Sequence, residues 1–358
     1  MMSRYFLFVI YSIGLTASAH AVAGQYTVET IADRLDYPWS VAFLPSGDIL
    51  VTELSGNLRR ISDGEISNPI DNVPPVFRLS QGGLFDVALD PDFTSNQTLY
   101  LSYATGDGDH NGTVVSQARL EGNKLTDVKE IFSATPKKYA PLHYGGRLAW
   151  TLNGNLLVTT GDGFDFREKA QDLSTHFGKT IELPIHAPNA PMPFSQAPLV
   201  LSYGHRNPQG LAVSKTGTIY QHEHGPRGGD EVNVITAGAN YGWPAITYGI
   251  DYNGAYVSPF TEHPNMTQPL HIWVPSIAPS GLMIYEGAMF PEWHGDLFIG
   301  ALVDEEVRRL DMNNGQVVGE PREFPEVQSR VRDIREAPDG SIYILTDGNP
   351  GSIVRIAR

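Results

Sequence analysis

The sequence contains no cysteine. Disulfides and zinc or iron–sulfur sites with cysteine ligands are therefore excluded, and the fold must be held by an apolar core. A chain of 358 residues is long enough to bury a large core, as one β domain or as two domains. Its 36 glycines and 26 prolines come without a long polar run, which indicates many turns rather than disorder.

Positive charge is scarce. Lysine and arginine together number 25 against 40 aspartates and glutamates, for a net charge of −15. A surface of this sign repels phosphate backbones and anionic lipids, so nucleic acid and a membrane surface are excluded as main partners. The balance is compatible with neutral or cationic ligands, and it leaves carboxylates for a hard cation such as calcium.

Three widespread catalytic motifs are missing. The chain has no G-x-S-x-G elbow, no P-loop and no dinucleotide fingerprint. Serine-nucleophile, nucleoside triphosphate and nicotinamide chemistry therefore have no support in the sequence.

Long apolar runs are absent after the first residues, where a secretory signal is predicted over residues 1–23. Arg4 marks its charged start, residues 5–15 form an apolar stretch too short to span a bilayer, and small residues around Ala21 offer a cleavage site. An uncleaved anchor is the alternative. We expect an exported mature protein, periplasmic or secreted, without a membrane span.

A turn containing glycine or asparagine, followed by an alternating apolar strand, recurs six times. The copies are residues 43–53, 89–103, 150–162, 213–224, 290–302 and 337–347. A further strand follows each copy, and such a unit cannot bury both faces of its sheet unless the copies stack. The pattern predicts an all-β fold, a six-bladed β-propeller over residues 24–358, with residues 26–31 completing the last blade. Two separate β domains are the alternative.

The most unusual stretch is residues 201–244, where charged and imidazole side chains are interspersed with glycine. Glycine allows close backbone approach to a ligand, and the charged groups supply directional contacts. In a propeller, such groups meet those of other blades at the mouth of the central channel. A run of polar surface turns is the other interpretation.

His143 is the candidate general base, because a neutral imidazole accepts a proton near physiological pH. Asp162 follows one hairpin later and would hold the imidazole in one tautomer. A surface or packing histidine is the alternative. Arg206, Arg330 and Arg332 are the candidate cations for a ligand that carries carboxylates or phosphates.

His222 and His224 alternate on a strand and so share one face, which permits a transition-metal site. The adjacent Gly225 and Pro226 suggest exposed backbone carbonyls, which suit calcium better. Asp230 follows in a segment that also has the pattern of a plain turn.

Taken together, these motifs resemble those of the soluble aldose sugar dehydrogenases that use pyrroloquinoline quinone (PQQ), relatives of soluble glucose dehydrogenase with a six-bladed propeller fold. The resemblance covers nearly all of the chain from Pro38-Trp39 onward. The matching motifs are QGGL at 81–84, HYGGR at 143–147, GHRNPQG at 204–210, EHGPRGGDE at 223–231, NYGWP at 240–244, PSIAPS at 275–280 and RVRD at 330–333.

The resemblance implies that His143 removes a proton from the anomeric hydroxyl of an aldose, while hydride passes to PQQ and a lactone is formed. Asp162 would support His143, and Arg206 would lie near the quinone oxygens. Ca²⁺ on the carbonyls of Gly225 and Pro226 would act as a Lewis acid. The remaining implied cofactor contacts are Gln81, Arg206, Asn207, His224, Asp230, Ser276, Arg330 and Arg332. An aldose and an unidentified electron acceptor are the implied partners.

One position departs from the pattern. By our alignment, Val303 stands where the glucose dehydrogenase branch places a lysine on PQQ, and losing that cation should weaken binding by about 1.5–3 kcal/mol. The segment between Gly178 and Tyr203 is also compressed and rich in proline. Two alternatives remain open from the sequence: a cofactor-free propeller that binds sugars or surface partners, and a calcium-dependent lactone hydrolase.

Overall fold

The computed structural model describes residues 26–186 and 199–358, which form six small antiparallel sheets arranged in a ring. This confirms the six-bladed propeller. The proposed signal, residues 1–23, lies outside the described residues. In the part of the chain that the structure covers, we find no helix of sufficient length and apolarity to cross a membrane.

Each blade is a meander in which consecutive strands are neighbours in the sheet. The first half of the ring contains β1 (Thr27–Leu35), β2 (Pro38–Phe43), β3 (Ile49–Glu53), β4 (Leu58–Ser62), β5 (Glu65–Ile66), β6 (Leu84–Leu89), β7 (Thr98–Gly106), β8 (Asn111–Glu121), β9 (Lys124–Ser133), β10 (Leu148–Trp150), β11 (Leu156–Thr160), β12 (Lys179–Leu183) and β13 (Leu199–Tyr203).

The second half contains β14 (Pro208–Val213), β15 (Ile219–Glu223), β16 (Asp230–Ile235), β17 (His271–Trp273), β18 (Pro279–Ile284), β19 (Leu297–Ala301), β20 (Glu306–Asn313), β21 (Gln316–Gly319), β22 (Arg322–Glu323), β23 (Val331–Glu336), β24 (Ile342–Thr346) and β25 (Gly351–Ala357). Helix is limited to α1 (Phe93–Asn96) and two 3₁₀ turns, Arg167–Gln171 and Pro291–Trp293.

The ring is closed by pairing the two ends of the described chain. β1 runs antiparallel to β25, with Thr27 opposite Ala357, and completes the blade formed by β23, β24 and β25. This confirms the predicted role of the N-terminal strand, which extends to Leu35 rather than ending at Ile31. Because every sheet now packs between two others, the ring has no open end.

The apolar core lies between the blades. In one interface, Tyr100 and Val115 of the second blade pack against Leu148, Val158 and Ile181 of the third. Because both faces of these strands are covered, middle strands such as β3, β11 and β19 are buried along their whole length. Equivalent clusters join other neighbouring blades.

Four charged side chains meet in the channel; Asp86, Arg147 and Asp333 are buried, and Arg335 is partly exposed. The Nη1 atom of Arg147 lies 2.9 Å from the Asp333 carboxylate, and Arg335 lies 2.8 Å from Asp333 and 3.1 Å from Asp86. The Arg147 guanidinium also stacks on the Trp39 ring, with its carbon 3.9 Å from the ring centroid. These residues come from four different blades, so the cluster links the ring across its axis.

The inner strands β2, β6, β10, β14, β18 and β23 all enter the channel from the same face, because each blade begins its meander at the channel. The loops that precede these strands therefore meet at one mouth of the channel. The catalytic, cofactor-binding and metal-binding residues predicted from the sequence lie on these loops or on the loops between middle strands at the same face, except Asp230 and Arg332, which are the first residue of β16 and the second residue of β23.

Candidate active site

Two adjoining cavities open at this mouth. The larger, of about 440 Å³, lies over the channel and is lined by residues of several blades, among them Gln81, Asn207, His224, Arg330 and Arg332. The smaller, of about 290 Å³, is lined among others by Asp162, Arg206, Pro226, Trp243 and Tyr252. Eight of the residues predicted from the sequence thus line one of two neighbouring cavities.

His143 lies in the loop before β10, and the structure brings it against Asp162, as predicted. The Nδ1 atom of His143 is 2.7 Å from Oδ1 of Asp162, in a pair that is almost fully buried. The backbone of His143 has a φ of 51°, in the left-handed region that is uncommon for residues other than glycine. A Cβ at Gly161 would lie 2.3 Å from the His143 carbonyl oxygen, so glycine is required there to let the two segments touch.

The Asp162 carboxylate is held by other donors as well. Its Oδ1 atom accepts the Phe164 N–H at 2.8 Å, and its Oδ2 atom accepts the Trp243 indole N–H at 2.8 Å. With the carboxylate fixed, an Nδ1–H of His143 is stabilised and the lone pair is left on Nε2. This is the arrangement of an oriented general base.

The pKa of His143 is lowered from the ordinary imidazole value, chiefly because burial disfavours the imidazolium. Asp162 opposes this shift, whereas the charges of Arg206 and Lys138 reinforce it. His143 is therefore neutral, and able to accept a proton, at physiological pH.

Arg206 lines the smaller cavity, where several contacts fix it. Its Nη1 atom donates to the Gly225 carbonyl oxygen at 2.6 Å, and its guanidinium carbon lies 5.3 Å from the Trp243 ring centroid. Its backbone N–H donates to Glu223, whose other carboxylate oxygen lies 2.7 Å from Nδ1 of His205. Arg206 is thus a rigid cation beside the neutral His143.

Arg330 and Arg332 share one acidic partner. Their guanidinium groups lie 2.9 Å and 3.1 Å from the two carboxylate oxygens of Asp347. Burial raises the pKa of Asp347, but Arg332 and Arg330 outweigh burial and lower it overall. Two guanidinium groups face one carboxylate, so this wall keeps a net positive charge.

The two strand histidines do not form a metal site. The Nε2 atoms of His222 and His224 lie 3.3 Å and 2.7 Å from the carbonyl oxygens of Gly281 and Pro279, to which they donate. Burial lowers the pKa of each to about 3, so both are neutral. The transition-metal interpretation has no support in the structure.

Residues 35–355 match the family model described as Glucose / Sorbosone dehydrogenase. The chain belongs to this family. It is 37% identical over 370 residues to Aldose sugar dehydrogenase YliI of Escherichia coli (strain K12), with 99% of each chain covered.

Two solved structures extend the comparison. The apo-form of soluble Aldose sugar dehydrogenase (Asd) from Escherichia coli has a TM-score of 0.86 at 38% identity, covering 93% of this chain and 99% of that one. The PQQ-bound form of Aldose Sugar Dehydrogenase (Adh) from Streptomyces coelicolor has a TM-score of 0.74 at 26% identity, covering 93% and 98%.

In this glucose/sorbosone dehydrogenase family member, two predicted cofactor contacts, Asp230 and Ser276, bond to each other. Asp230 is fully buried and accepts the Gly225 N–H at 2.8 Å, the Ala278 N–H at 2.9 Å and the Ser276 hydroxyl. Asp230 and Ser276 therefore hold the Gly225 turn and the loop before β18.

Gln81 and Asn207 belong to the larger cavity, and each also braces the His143 loop. The Gln81 side-chain oxygen accepts the His143 N–H at 2.8 Å, and Asn207 accepts the Gly145 N–H at 3.3 Å. The amide nitrogens of Gln81 and Asn207 are the groups that can donate to a ligand in this cavity.

Gly225 and Pro226 could offer a cation only backbone oxygens. Among residues 26–186 and 199–358, no three His, Asp or Glu side chains converge as a metal-binding group. A calcium ion at this turn would therefore depend on carbonyl oxygens and on oxygens of a bound ligand.

Sequence reasoning missed two cations of the site. Arg78 lines the larger cavity, where its Nη1 atom donates to the carbonyls of Ser80 and Gly82 and, among the described residues, makes no ion pair with a carboxylate. Lys138 is buried beside the His143–Asp162 pair. Neither belongs to a motif, and only the approach of the loops in space reveals them. Val303 lines the same cavity and is exposed in it.

Proposed function

We propose that this protein is a periplasmic quinoprotein that oxidises aldose sugars at C1 to lactones, with PQQ as hydride acceptor and Ca²⁺ as Lewis acid. The observation that carries the proposal is the buried His143–Asp162 pair beside an arginine-lined cavity. Export is supported by the pattern of residues 1–23. A separate, unidentified acceptor would receive the electrons.

The larger cavity suits a cofactor that carries several carboxylates. Arg78, Arg330 and Arg332 contribute three positive charges against the single negative charge of Asp347. A cofactor-free scaffold gains nothing from this excess, since like charges in one cavity repel each other. The donor set therefore fits PQQ, with the amide of Gln81 or Asn207 available to a quinone or carboxylate oxygen.

Bound PQQ would supply an electrophilic carbon able to accept hydride. The protein's part is to take the proton: Nε2 of His143 accepts it from the anomeric hydroxyl, and Asp162 stabilises the imidazolium that results. Arg206, fixed by Gly225 and Glu223, places a positive charge where negative charge develops on an oxygen. Gly225 and Pro226 would hold Ca²⁺ through their carbonyl oxygens, and the ion would supply Lewis-acid chemistry.

Reconstitution tests the proposal directly. Purified apo-protein is mixed with PQQ and CaCl₂, and dye-coupled oxidation is followed across a panel of aldoses. We expect a change in the quinone absorption, a rise in thermal stability and sugar-dependent dye reduction. If PQQ produces neither a spectral change nor a thermal shift, the proposal is wrong.

Arg332→Gln should weaken PQQ binding about 10- to 100-fold, because a hydrogen bond to a charged group contributes about 1.5–3 kcal/mol. Arg78→Gln should act in the same direction. Isothermal titration of apo-protein with PQQ measures both. Arg34→Gln is the matched control, since within residues 26–186 and 199–358 Arg34 pairs only with its neighbour Asp33, and its side chain is 86% exposed. An unchanged Kd in Arg332→Gln would remove that residue from the cofactor site.

The pH profile should show a base that is active in mildly acid solution. Burial lowers the pKa of His143, so the imidazole stays neutral at pH values where an ordinary histidine is protonated. The acid limb of kcat/KM, which reports the free enzyme, should therefore lie below the ordinary imidazole value of about 6.5. A limb above that value would contradict the assignment of His143 as a buried neutral base.

A further inference from the structure

Lys138 is a buried lysine in the loop between β9 and β10, with only 3% of its surface exposed. Its Nζ atom donates to the carbonyl oxygens of Ala140 and, at 2.7 Å, Leu142, and lies 3.6 Å from the centroid of the Tyr144 ring. These contacts bracket His143 in the chain. The ammonium therefore ties down the turn that leads into the catalytic base.

The backbone of Lys138 is anchored independently of its side chain. Its N–H donates to the Asn111 carbonyl at 2.9 Å, and its own carbonyl accepts the Asn111 N–H at 2.7 Å. The Asn111 side chain in turn accepts the Tyr144 hydroxyl at 2.7 Å. Lys138 thus links the first residue of β8 to the loop that carries His143: its backbone pairs with Asn111, and its side chain binds the loop.

The aliphatic part of the Lys138 side chain also packs against Gly163, the residue after Asp162. A Cβ at Gly163, directly after Asp162, would lie 2.8 Å from Cδ of Lys138. Lys138 therefore fills the space between the segments that carry His143 and Asp162. Burial lowers its pKa to about 7, while Asp162 and Asp165 favour the charged form.

We propose that Lys138 is a positioning residue for the base: through the carbonyl oxygens of Ala140 and Leu142, its ammonium holds the left-handed conformation of His143. The positive charge of Lys138 also lowers the pKa of His143. The charged and titratable groups that face His143 are Asp162, Arg206, Lys138 and His224, from four different segments. Among them, Lys138 alone also binds the backbone of the His143 loop. The role of His143 as a catalytic base rests on the proposed function, but the effect of Lys138 on the conformation and pKa of His143 does not.

Lys138→Met removes the charge and keeps much of the stem. We expect the pKa of His143 to rise, as followed by NMR of its Cε1–H group in apo-protein, with the signal assigned by His143→Asn. In the loaded enzyme, the acid limb of kcat/KM should move to higher pH, and kcat should fall on the order of 10- to 100-fold with KM little changed. Lys138→Arg should restore part of kcat and keep the lower pKa.

Lys137→Met is the matched control, because Lys137 is the neighbouring residue and its Nζ donates to Ser133 instead. It should leave the His143 titration and the pH profile unchanged. A folded Lys138→Met protein with an unaltered His143 titration overturns the proposal.

The unsubstituted apo-protein provides a test that does not depend on whether Lys138→Met folds. With ¹⁵N-lysine labelling, titration of Lys138 Nζ should be accompanied by a shift of the His143 signal. Independence of the two titrations would also overturn the proposal. Neither NMR experiment needs PQQ, so a failure of the proposed cofactor would appear separately, as absence of PQQ binding in the unsubstituted protein.

Discussion

His143→Asn is expected to lower kcat by about 10²- to 10⁴-fold while PQQ binding remains within about twofold of the unsubstituted protein. The range is the usual contribution of a general base, which asparagine cannot replace. Asparagine is chosen because it tolerates the left-handed φ of 51° at this position, so that loss of turnover reports chemistry rather than strain. Stopped-flow reduction of PQQ by an aldose measures the step directly.

Two further variants make the result specific. Asp162→Asn should lose less than His143→Asn, because the imidazole survives but its Nδ1–H loses a charged acceptor. His176→Asn is the matched control: the Nδ1 atom of His176 accepts the Thr135 N–H instead of facing Asp162, so this variant should keep normal turnover. If His143→Asn retains more than a tenth of kcat, another group is the base.

Arg147→Met is expected to lower the free energy of unfolding by about 3–5 kcal/mol, the usual cost of removing one partner from a buried ion pair. Although burial lowers the pKa of Arg147 to about 10, it stays charged at neutral pH opposite Asp333 and Asp86. The substitution also removes hydrogen bonds to the carbonyls of Gln209 and Arg332, which belong to two other blades.

Urea unfolding of apo-protein, monitored by tryptophan fluorescence, measures this loss. Arg34→Met is the control, because exposed ion pairs contribute about 0–1 kcal/mol. If Arg147→Met lies within about 1 kcal/mol of the unsubstituted protein, the central charges do not hold the ring together.

The fold could be predicted from the sequence because one structural unit is repeated. Six copies of one hairpin unit each left an alternating apolar pattern, and a unit that cannot bury both faces leaves stacking as the solution. The pairing of β1 with the last blade could also be predicted, because the C-terminal segment supplies only three strands, β23, β24 and β25, and a fourth is needed to complete the blade. Its true end at Leu35 was missed because register shifts after Thr30 interrupt the alternation.

Site residues could be predicted from the sequence where they belong to a recognisable pattern, and not elsewhere. His143 and Arg206 lie in motifs that the family resemblance identifies, and Asp162 ends one of the repeated hairpins. The structure brings the three together. Arg78 and Lys138 lie in no motif, and their importance depends on which carbonyls and carboxylates surround them in space. Asp230 shows the reverse case: a motif position whose side chain serves the backbone of a turn rather than the cavity.

The pairing of β1 with β25 has a consequence for biosynthesis. β1 is the first described strand to be made and β25 the last, so Thr27 cannot meet Ala357 until the whole ring sequence is available. Until then β1 presents an unpaired edge, and contacts of such long sequence separation form slowly. A chain that crosses a membrane in extended form would therefore complete its ring only after the final strand has arrived on the far side.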